Sequence, residues 1–256
     1  MTENKLWWKN GIVYQIYPRS FQDTNGDGIG DLAGIIQHLD YLQDLGIDAI
    51  WFSPINPSPD VDFGYDVADY HTIDPKFGNL QDFERLLQEA HKRDLRIIMD
   101  LVLSHSSDQH RWFQESRKSK DNPYHDWYIW RDPAPDGGYP NNWLSIFGGS
   151  AWEYDENLGH YYYHTFAKGQ PDLNWHNLEV RSTLLDVFRY WLDKGVDGFR
   201  LDVFNNYFQN VLFRDNPRNE GFSIRKALRK FDAYDHIYDS NQPEMISVVE
   251  DIRKIM

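Results

Sequence analysis

The sequence predicts an α/β fold of repeated strand and helix units with a separate module let into it, and three observations lead there. Short, nearly continuous apolar runs recur at residues 12–17, 47–52, 95–101 and 198–202. Segments between them carry apolar residues at helical spacing. The stretch 104–172 has another character, with Trp112, Trp127, Trp130, Trp143, Trp152 and Tyr161-Tyr162-Tyr163 among Asp, Pro and Gly, and it is far longer than an ordinary βα loop.

Taken in order, Ile12-Val13-Tyr14-Gln15-Ile16-Tyr17 is β-branched and aromatic and is closed by Pro18, which predicts a first strand. In the loop 23–31 that follows, oxygen side chains alternate with glycines in the spacing of the first half of a calcium loop. Asp23, Asn25, Asp27 and Asp31 offer side-chain oxygens and Ile29 its carbonyl. The bidentate Glu of an EF-hand is absent, so the expectation is a structural, EF-hand-like site for Ca2+ or Mg2+. An Asx-rich turn without an ion is the competing reading.

Ile35, Ile36, Leu39, Leu42 and Leu45, stopped by Gly46, predict one helix over 32–45, followed by a strand over 47–52. Asn79 caps a second helix marked by Phe83, Leu86, Leu87 and Ala90, which leads into the third strand, 95–101. Val180, Leu184, Phe188, Trp191 and Leu192 mark a third helix, stopped by Gly195 and feeding the run 198–202. Apolar strands alternating with amphipathic helices imply buried parallel strands. Met245, Val248, Val249, Ile252 and Ile255, after Pro243, have helical period. The expected architecture is α/β, of (β/α)8 TIM-barrel type, with the first four βα units only. Residues 1–103 form the first part of the barrel, 104–172 a small inserted α+β domain after the third strand, and 173–256 the barrel's truncated continuation.

A chain of 256 residues has ample material for a core. Its net charge of -14 argues against nucleic acid, whose phosphates need a basic surface. Sixteen Tyr and ten Trp exceed what a core needs, and such rings can stack on sugar faces, although many must be structural. The absence of cysteine removes disulfides, thiolate metal sites and a Cys nucleophile. No run approaches the length of a membrane span, and Met1 to Trp8 lacks the apolar centre of a leader, so a cytoplasmic protein that meets no membrane is expected.

The chemistry centres on Gly198-Phe199-Arg200-Leu201-Asp202. Residues i and i+2 of a strand share a face, so Arg200 and Asp202 leave the strand end together, and a guanidinium keeps a neighbouring carboxylate ionised. An ionised carboxylate is what a nucleophile requires. A structural ion pair at a strand end is the plainer alternative. Asp100 and His105 fall at strand ends on the same carboxyl-terminal face, where barrel active sites form.

Five motifs in order carry a resemblance: Trp51-Phe52-Ser53-Pro54, Asp62-Phe63-Gly64-Tyr65-Asp66, Asp100-Leu101-Val102-Leu103-Ser104-His105, Gln170-Pro171-Asp172-Leu173-Asn174 and Gly198 to Asp202. They resemble those of the α-amylase superfamily (glycoside hydrolase family 13), in its α-glucosidase and oligo-1,6-glucosidase branch, with the N-terminal part represented. The resemblance implies that Asp202 is the nucleophile of a retaining mechanism, with Arg200 holding it ionised. It implies that Asp62 and His105 hydrogen-bond the hydroxyls of the non-reducing glucose while Tyr65 stacks on its ring, and that Phe147, Phe166 and Gln170 line the same pocket. The 23–31 loop is similar to a Ca2+ or Mg2+ loop of the branch, and no organic cofactor is implied. Ser104 stands where true α-amylases usually have Asn, which speaks against an amylase-type calcium site. Gln170-Pro171-Asp172-Leu173-Asn174 points to short oligosaccharides taken one glucose at a time. Val203, following the nucleophile, tends to accompany α-1,6 preference in relatives, whereas the stretch 205–217 looks more like the α-1,4 group.

The family's general acid/base Glu follows the fifth strand, and nothing here matches it; Glu244 and Glu250 read as solvated helix faces. The expectation is thus an incomplete chain, inactive alone, whose open sheet edges call for a complementary C-terminal half or self-association. A non-catalytic carbohydrate-binding or interaction protein on the same scaffold is the alternative class. A trehalose-6-phosphate hydrolase or sucrose isomerase is a third.

Overall fold

The computed structural model describes residues 6–223 and 229–256, so the first five residues of the leader reading lie outside it. In chain order the regular elements are α1 (Trp7–Asn10), β1 (Val13–Ile16), α2 (Leu32–Gln37), α3 (Leu39–Asp44), β2 (Ala49–Phe52), α4 (Leu80–His91), β3 (Arg96–Leu101), α5 (Arg111–Ser116), β4 (Trp130–Arg131), β5 (Trp152–Asp155), β6 (His160–Tyr163), α6 (Leu178–Asp193), β7 (Gly198–Leu201) and α7 (Met245–Ile255). The chain divides into two compact units.

The first unit comprises the described residues up to Pro57, Asp69–Leu101 and Val187–Leu201. Its sheet has the order β1-β2-β3-β7, and every neighbouring pair is parallel. Ala49 and Ile50 are adjacent in β2 and both fully buried, so both faces of that strand are covered, as the apolar runs predict. Leu32, Ile35, Leu39, Leu42, Phe83, Leu86 and Trp191 supply buried helix faces. Two Gly-x-Asp turns tie strand starts together. The Asp48 carboxylate accepts from the Ile12 N–H at 2.7 Å, and that of Asp197 from the Ile97 N–H at 2.8 Å.

Helix α4 begins at the predicted cap: Asn79 accepts from the N–H groups of Gln81 and Asp82, and Asp82 accepts from that of Asn79, a reciprocal capping box. The single helix expected over 32–45 is instead two, broken at His38. Its N–H bonds the Ile35 carbonyl in a tightened turn, and its ring is drawn out to Gln22 (3.2 Å) and to the edge of Phe21. Gly46 follows α3 with φ of 79°, a conformation that favours glycine.

The second unit comprises Ser58–Ala68, Val102–Asp186 and Asp202–Met256. It holds an antiparallel sheet of order β4-β6-β5 over a core of Ile129, Trp143, Ala151, Trp152 and Tyr163. The aromatic surplus goes largely to packing: Trp127, Trp130, Trp143, Trp152 and Trp175 are all buried. Phe147, in contrast, is 60% exposed. Glu244 and Glu250 are exposed beside and on α7, as read. Among the described residues no helix is long and apolar enough to cross a membrane.

Candidate active site

The residues expected to grip a sugar assemble in the second unit, and a buried acid that the sequence reading left without a role builds the first part. Asp66 is fully buried. Its Oδ1 accepts from Ser58 Oγ (2.7 Å) and the Asp62 N–H (3.0 Å), and its Oδ2 from the Val61 N–H (2.9 Å). These bonds wind 58–66 into a tight loop in which Asp60, Phe63 and Gly64 take positive φ (65°, 47° and 108°). Left-handed conformations at non-glycine residues need such over-determination. The loop sets the Asp62 side chain and the Tyr65 carbonyl.

Gln170, fully buried, joins them to His105. Its Nε2 donates to Asp62 Oδ2 at 3.0 Å and lies 3.1 Å from His105 Nε2, while its Oε1 accepts from the Ala167 N–H. His105 Nε2 also lies 3.1 Å from the Tyr65 carbonyl oxygen, and its Nδ1 is 2.8 Å from Ser104 Oγ. Burial pushes the His105 pKa down to about 4, so the ring is neutral at pH 7 with a single N–H. That proton serves either the Tyr65 carbonyl from Nε2 or the Ser104 oxygen from Nδ1, and the Ser104 hydroxyl turns to match. Burial, in contrast, raises the Asp62 pKa; the Gln170 amide works against this rise and the Asp66 charge adds to it. A carboxylate, an amide and a neutral imidazole facing one another suit alcohol groups, which donate and accept together.

Phe166 lies with its ring 5.1 Å from that of His105, and Phe147 meets Phe166 edge-on at 5.7 Å. Asp172, fully buried, accepts from the N–H (2.5 Å) and Oγ1 (2.9 Å) of Thr165 and pairs by a backbone bridge with His105. Burial drives its pKa well above the usual carboxylate range, against the Thr165 bonds. It fixes Phe166 through Thr165, a role the sequence reading missed. Its position inside the Gln170 to Asn174 motif was the available signal.

In the first unit, Asp100 and Arg200 are register partners on β3 and β7. Arg200 Nη1 lies 3.1 and 3.2 Å from the two Asp100 oxygens, Trp51 Nε1 donates to Asp100 Oδ2 at 3.1 Å, and the guanidinium lies 5.1 Å from the Trp51 ring centre. Arg200 is therefore held by a buried carboxylate and an indole, neither of which the sequence reading assigned to it. Strand β7 ends at Leu201, one residue short of expectation, and Asp202 begins the turn beyond it, 7% exposed. Val203 then takes φ 38°, ψ 38°. A β-branched residue there is strained, by roughly 1–3 kcal/mol, and strain of this kind concentrates at functional sites.

In the 23–31 loop the Asp23 carboxylate accepts from the N–H groups of Asn25, Gly26 and Gly28, which lowers its pKa, the Gly28 bond most. Asp27 accepts from the Ile29 N–H, and Asp31 from Thr24 and the Gly34 N–H at the start of α2. The donor set is all oxygen, which fits a hard cation, but Asp23 Oδ1 and Asp31 Oδ2 each already accept two hydrogen bonds. Among the described residues, no three His, Cys, Asp or Glu side chains are grouped as a metal site. Asx turns hold the loop as it stands.

The family description "Alpha amylase, catalytic domain" matches residues 15–256. The chain belongs to the α-amylase family. Similar α-amylase-family proteins include an oligo-1,6-glucosidase of Heyndrickxia coagulans, 53% identical over 99% of this chain and 44% of its own length. Among solved structures, an α-glucosyl transfer enzyme is 51% identical with a TM-score of 0.93, over 97% of this chain and 47% of that one. The trehalose-6-phosphate hydrolase of Bacillus licheniformis is 44% identical with a TM-score of 0.88, over 98% and 42%. These neighbours give the parallel sheet a TIM-barrel-like setting. The chain spans less than half the length of the proteins it matches.

Proposed function

We propose that this chain carries the glucose-gripping part and the nucleophile of a retaining α-glucosidase acting from the chain end on short α-linked gluco-oligosaccharides. The observation that carries the reading is the Asp62–Gln170–His105 array, a hydroxyl-binding set built on buried supports. In the proposed reaction an Asp202 oxygen attacks the anomeric carbon as the glycosidic C–O bond breaks. The leaving oxygen takes a proton from a second carboxyl group, and water then cleaves the glucosyl ester with retention. Arg200, anchored on Asp100, favours the ionised nucleophile. That second carboxyl group is proposed to come from outside these 256 residues, which by themselves hold four βα units and the inserted domain 104–172 and do not turn over maltose. The end strands β1 and β7 are then the edges for a complementary segment or a second copy. The 23–31 loop is proposed to take one Ca2+ or Mg2+ through Asp23, Asn25, Asp27, Ile29 and Asp31 for stability, and the cysteine-free chain to work in the cytoplasm. Isomaltose is expected among the substrates, given Val203.

An α-glucosyl fluoride tests the reading, since fluoride leaves with little acid assistance. The peptide containing Asp202 should gain the mass of one glucosyl group, and Asp202→Ala should abolish the gain. Sugar binding without labelling would favour the non-catalytic carbohydrate-binding alternative, and neither result would remove both. Strong preference for trehalose 6-phosphate over maltose would move the assignment to the phosphorylated substrate.

A further inference from the structure

The unit that holds the sugar-gripping residues also contains a recess of about 140 Å3 whose lining includes Ile146, Thr165, Asn205, Asn206, His236 and Asp239. At roughly 30 Å3 per water, it has room for the hydroxylated edge of one hexose but not for a disaccharide. Its place in the chain is informative. Ile146 and Thr165 immediately precede Phe147 and Phe166, and Asn205 and Asn206 follow closely on Asp202.

Asp239 is 5% exposed, and its Oδ1 is buried with no hydrogen-bond partner. An unsatisfied buried carboxylate oxygen is costly, and it is more so when the group is charged. The charge is held in place by His236. His236 Nδ1 lies 2.8 Å from Asp239 Oδ2, and its Nε2 lies 2.9 Å from the Phe231 carbonyl oxygen. Both neighbours are acceptors, so both ring nitrogens donate, and the ring is best satisfied as an imidazolium. The Phe231 ring stacks on it at 3.5 Å. With a cation at one oxygen and the other oxygen unpartnered, Asp239 on the lining of the recess keeps one strong acceptor for an O–H. The adjacent cation disfavours a metal ion there, and the carboxylate disfavours an anion, which leaves a neutral hydroxylated ligand.

We propose that Asp239, positioned by His236, is a specificity-determining residue that accepts a hydroxyl of the sugar next to the gripped glucose, the one that departs. The proposal rests on the α-glucosidase reading of the site. A hydrogen bond to a charged group at a desolvated position is worth about ten- to a hundredfold in affinity. The experiment compares calorimetric binding of maltose and isomaltose, which have a second ring, with methyl α-glucoside, which does not, for the wild-type protein, Asp239→Asn and Asn205→Ala. Asp239→Asn should weaken the disaccharides about ten- to a hundredfold and leave methyl α-glucoside unchanged. Unchanged disaccharide binding means that the recess holds buried water only and overturns the proposal. Equal weakening of all three ligands at an unchanged unfolding midpoint also overturns it, because Asp239 would then act through the glucose grip. Should Asp239→Asn fail to fold, half-buried Asn205 decides: selective loss of the disaccharides by several-fold supports the proposal, and no selectivity refutes it. If the wild-type protein binds none of the three and Asp62→Asn changes nothing, it is the glucose-gripping reading that has failed, and the subsite falls with it.

Discussion

Replacing Asp66 with Asn changes one atom and tests whether the loop beneath Asp62 is built as described. The wild-type carboxylate faces three donors: Ser58 Oγ and the Asp62 N–H on Oδ1, and the Val61 N–H on Oδ2. An asparagine presents one oxygen and one NH2. With the NH2 toward Val61, two donors meet at a distance of 2.9 Å; flipped, the NH2 meets the Asp62 N–H, and only the Ser58 hydroxyl can turn to accept. Either way one buried N–H loses its acceptor, which costs about 1–3 kcal/mol, and the charge assistance of the remaining bonds is lost as well. A total of roughly 3 kcal/mol is a large part of the 5–15 kcal/mol that a domain holds in reserve. The loop also carries strained residues at 60 and 63, so the native geometry of Asp62 should relax. Urea denaturation of the variant should show a lower midpoint at an unchanged slope, and methyl α-glucoside should bind at least tenfold more weakly. A variant with wild-type midpoint and wild-type affinity would refute the account of the loop.

Three further outcomes follow from the same structure. His105 titrates near pH 4 when folded and near its ordinary 6.5 when unfolded, so between these values the unfolded chain binds more protons. The His105 contribution to stability should therefore rise with pH from about 4 to 6.5 by on the order of 3 kcal/mol and then level off, while the raised Asp172 and Asp62 pKa values work in the opposite direction. The measured quantity is thus the gap in denaturation midpoint between wild type and His105→Gln, which should widen correspondingly across the range. At a free cation concentration of 100 times its dissociation constant, occupancy of the 23–31 loop would add about 2.7 kcal/mol. A chelator should accordingly lower the melting temperature of the wild-type protein but not of Asp27→Ala, and identical melting with and without chelator would leave the loop an ordinary turn. Asn79→Ala removes both bonds of the α4 cap and should destabilise by about 1 kcal/mol, read as a shift in urea midpoint, without altering sugar affinity.

The alternation of strands and helices was legible because burial on both faces leaves continuous apolar runs, as in β2 and β3, and because a helix that buries one face keeps its spacing, as in α4. The break at His38 was not, since Gln37-His38-Leu39 keeps that spacing and the interruption comes from Gln22 and Phe21, which lie outside the helix. The residues proposed to face a sugar could be named from motifs, whereas the roles of their supports could not. Asp66, Asp172 and Asp100 stand inside those motifs, but nothing in the residue pattern says which group each one holds. Asp66 and Asp172 find the donors named above within the preceding eight residues, whereas Asp100 depends on an arginine a hundred positions away. Aromatic content was ambiguous for a related reason, since a ring that packs in a core and a ring that meets a sugar have the same composition.

The three acids share one arrangement. Each is buried at 2% exposure or less for Asp100 and at zero for Asp66 and Asp172, and each stands one step behind a group proposed to touch or activate substrate: Asp66 behind Asp62, Asp172 behind Phe166, Asp100 behind Arg200. A carboxylate suits this work because it accepts several N–H or O–H bonds at once in a fixed plane, so it defines geometry where an apolar side chain would only fill space. The arrangement also predicts how loss of function will look. Substituting Asp62 should weaken sugar binding with little change in stability, whereas substituting Arg200 also strips the buried Asp100 carboxylate of its ion-pair partner and should lower stability as well. Substituting Asp66 should lower binding and stability together, and in proportion to the number of donors left unpaired. Measuring the two effects on Asp62 and Asp66 separates a group proposed to meet the sugar from the one that holds it there.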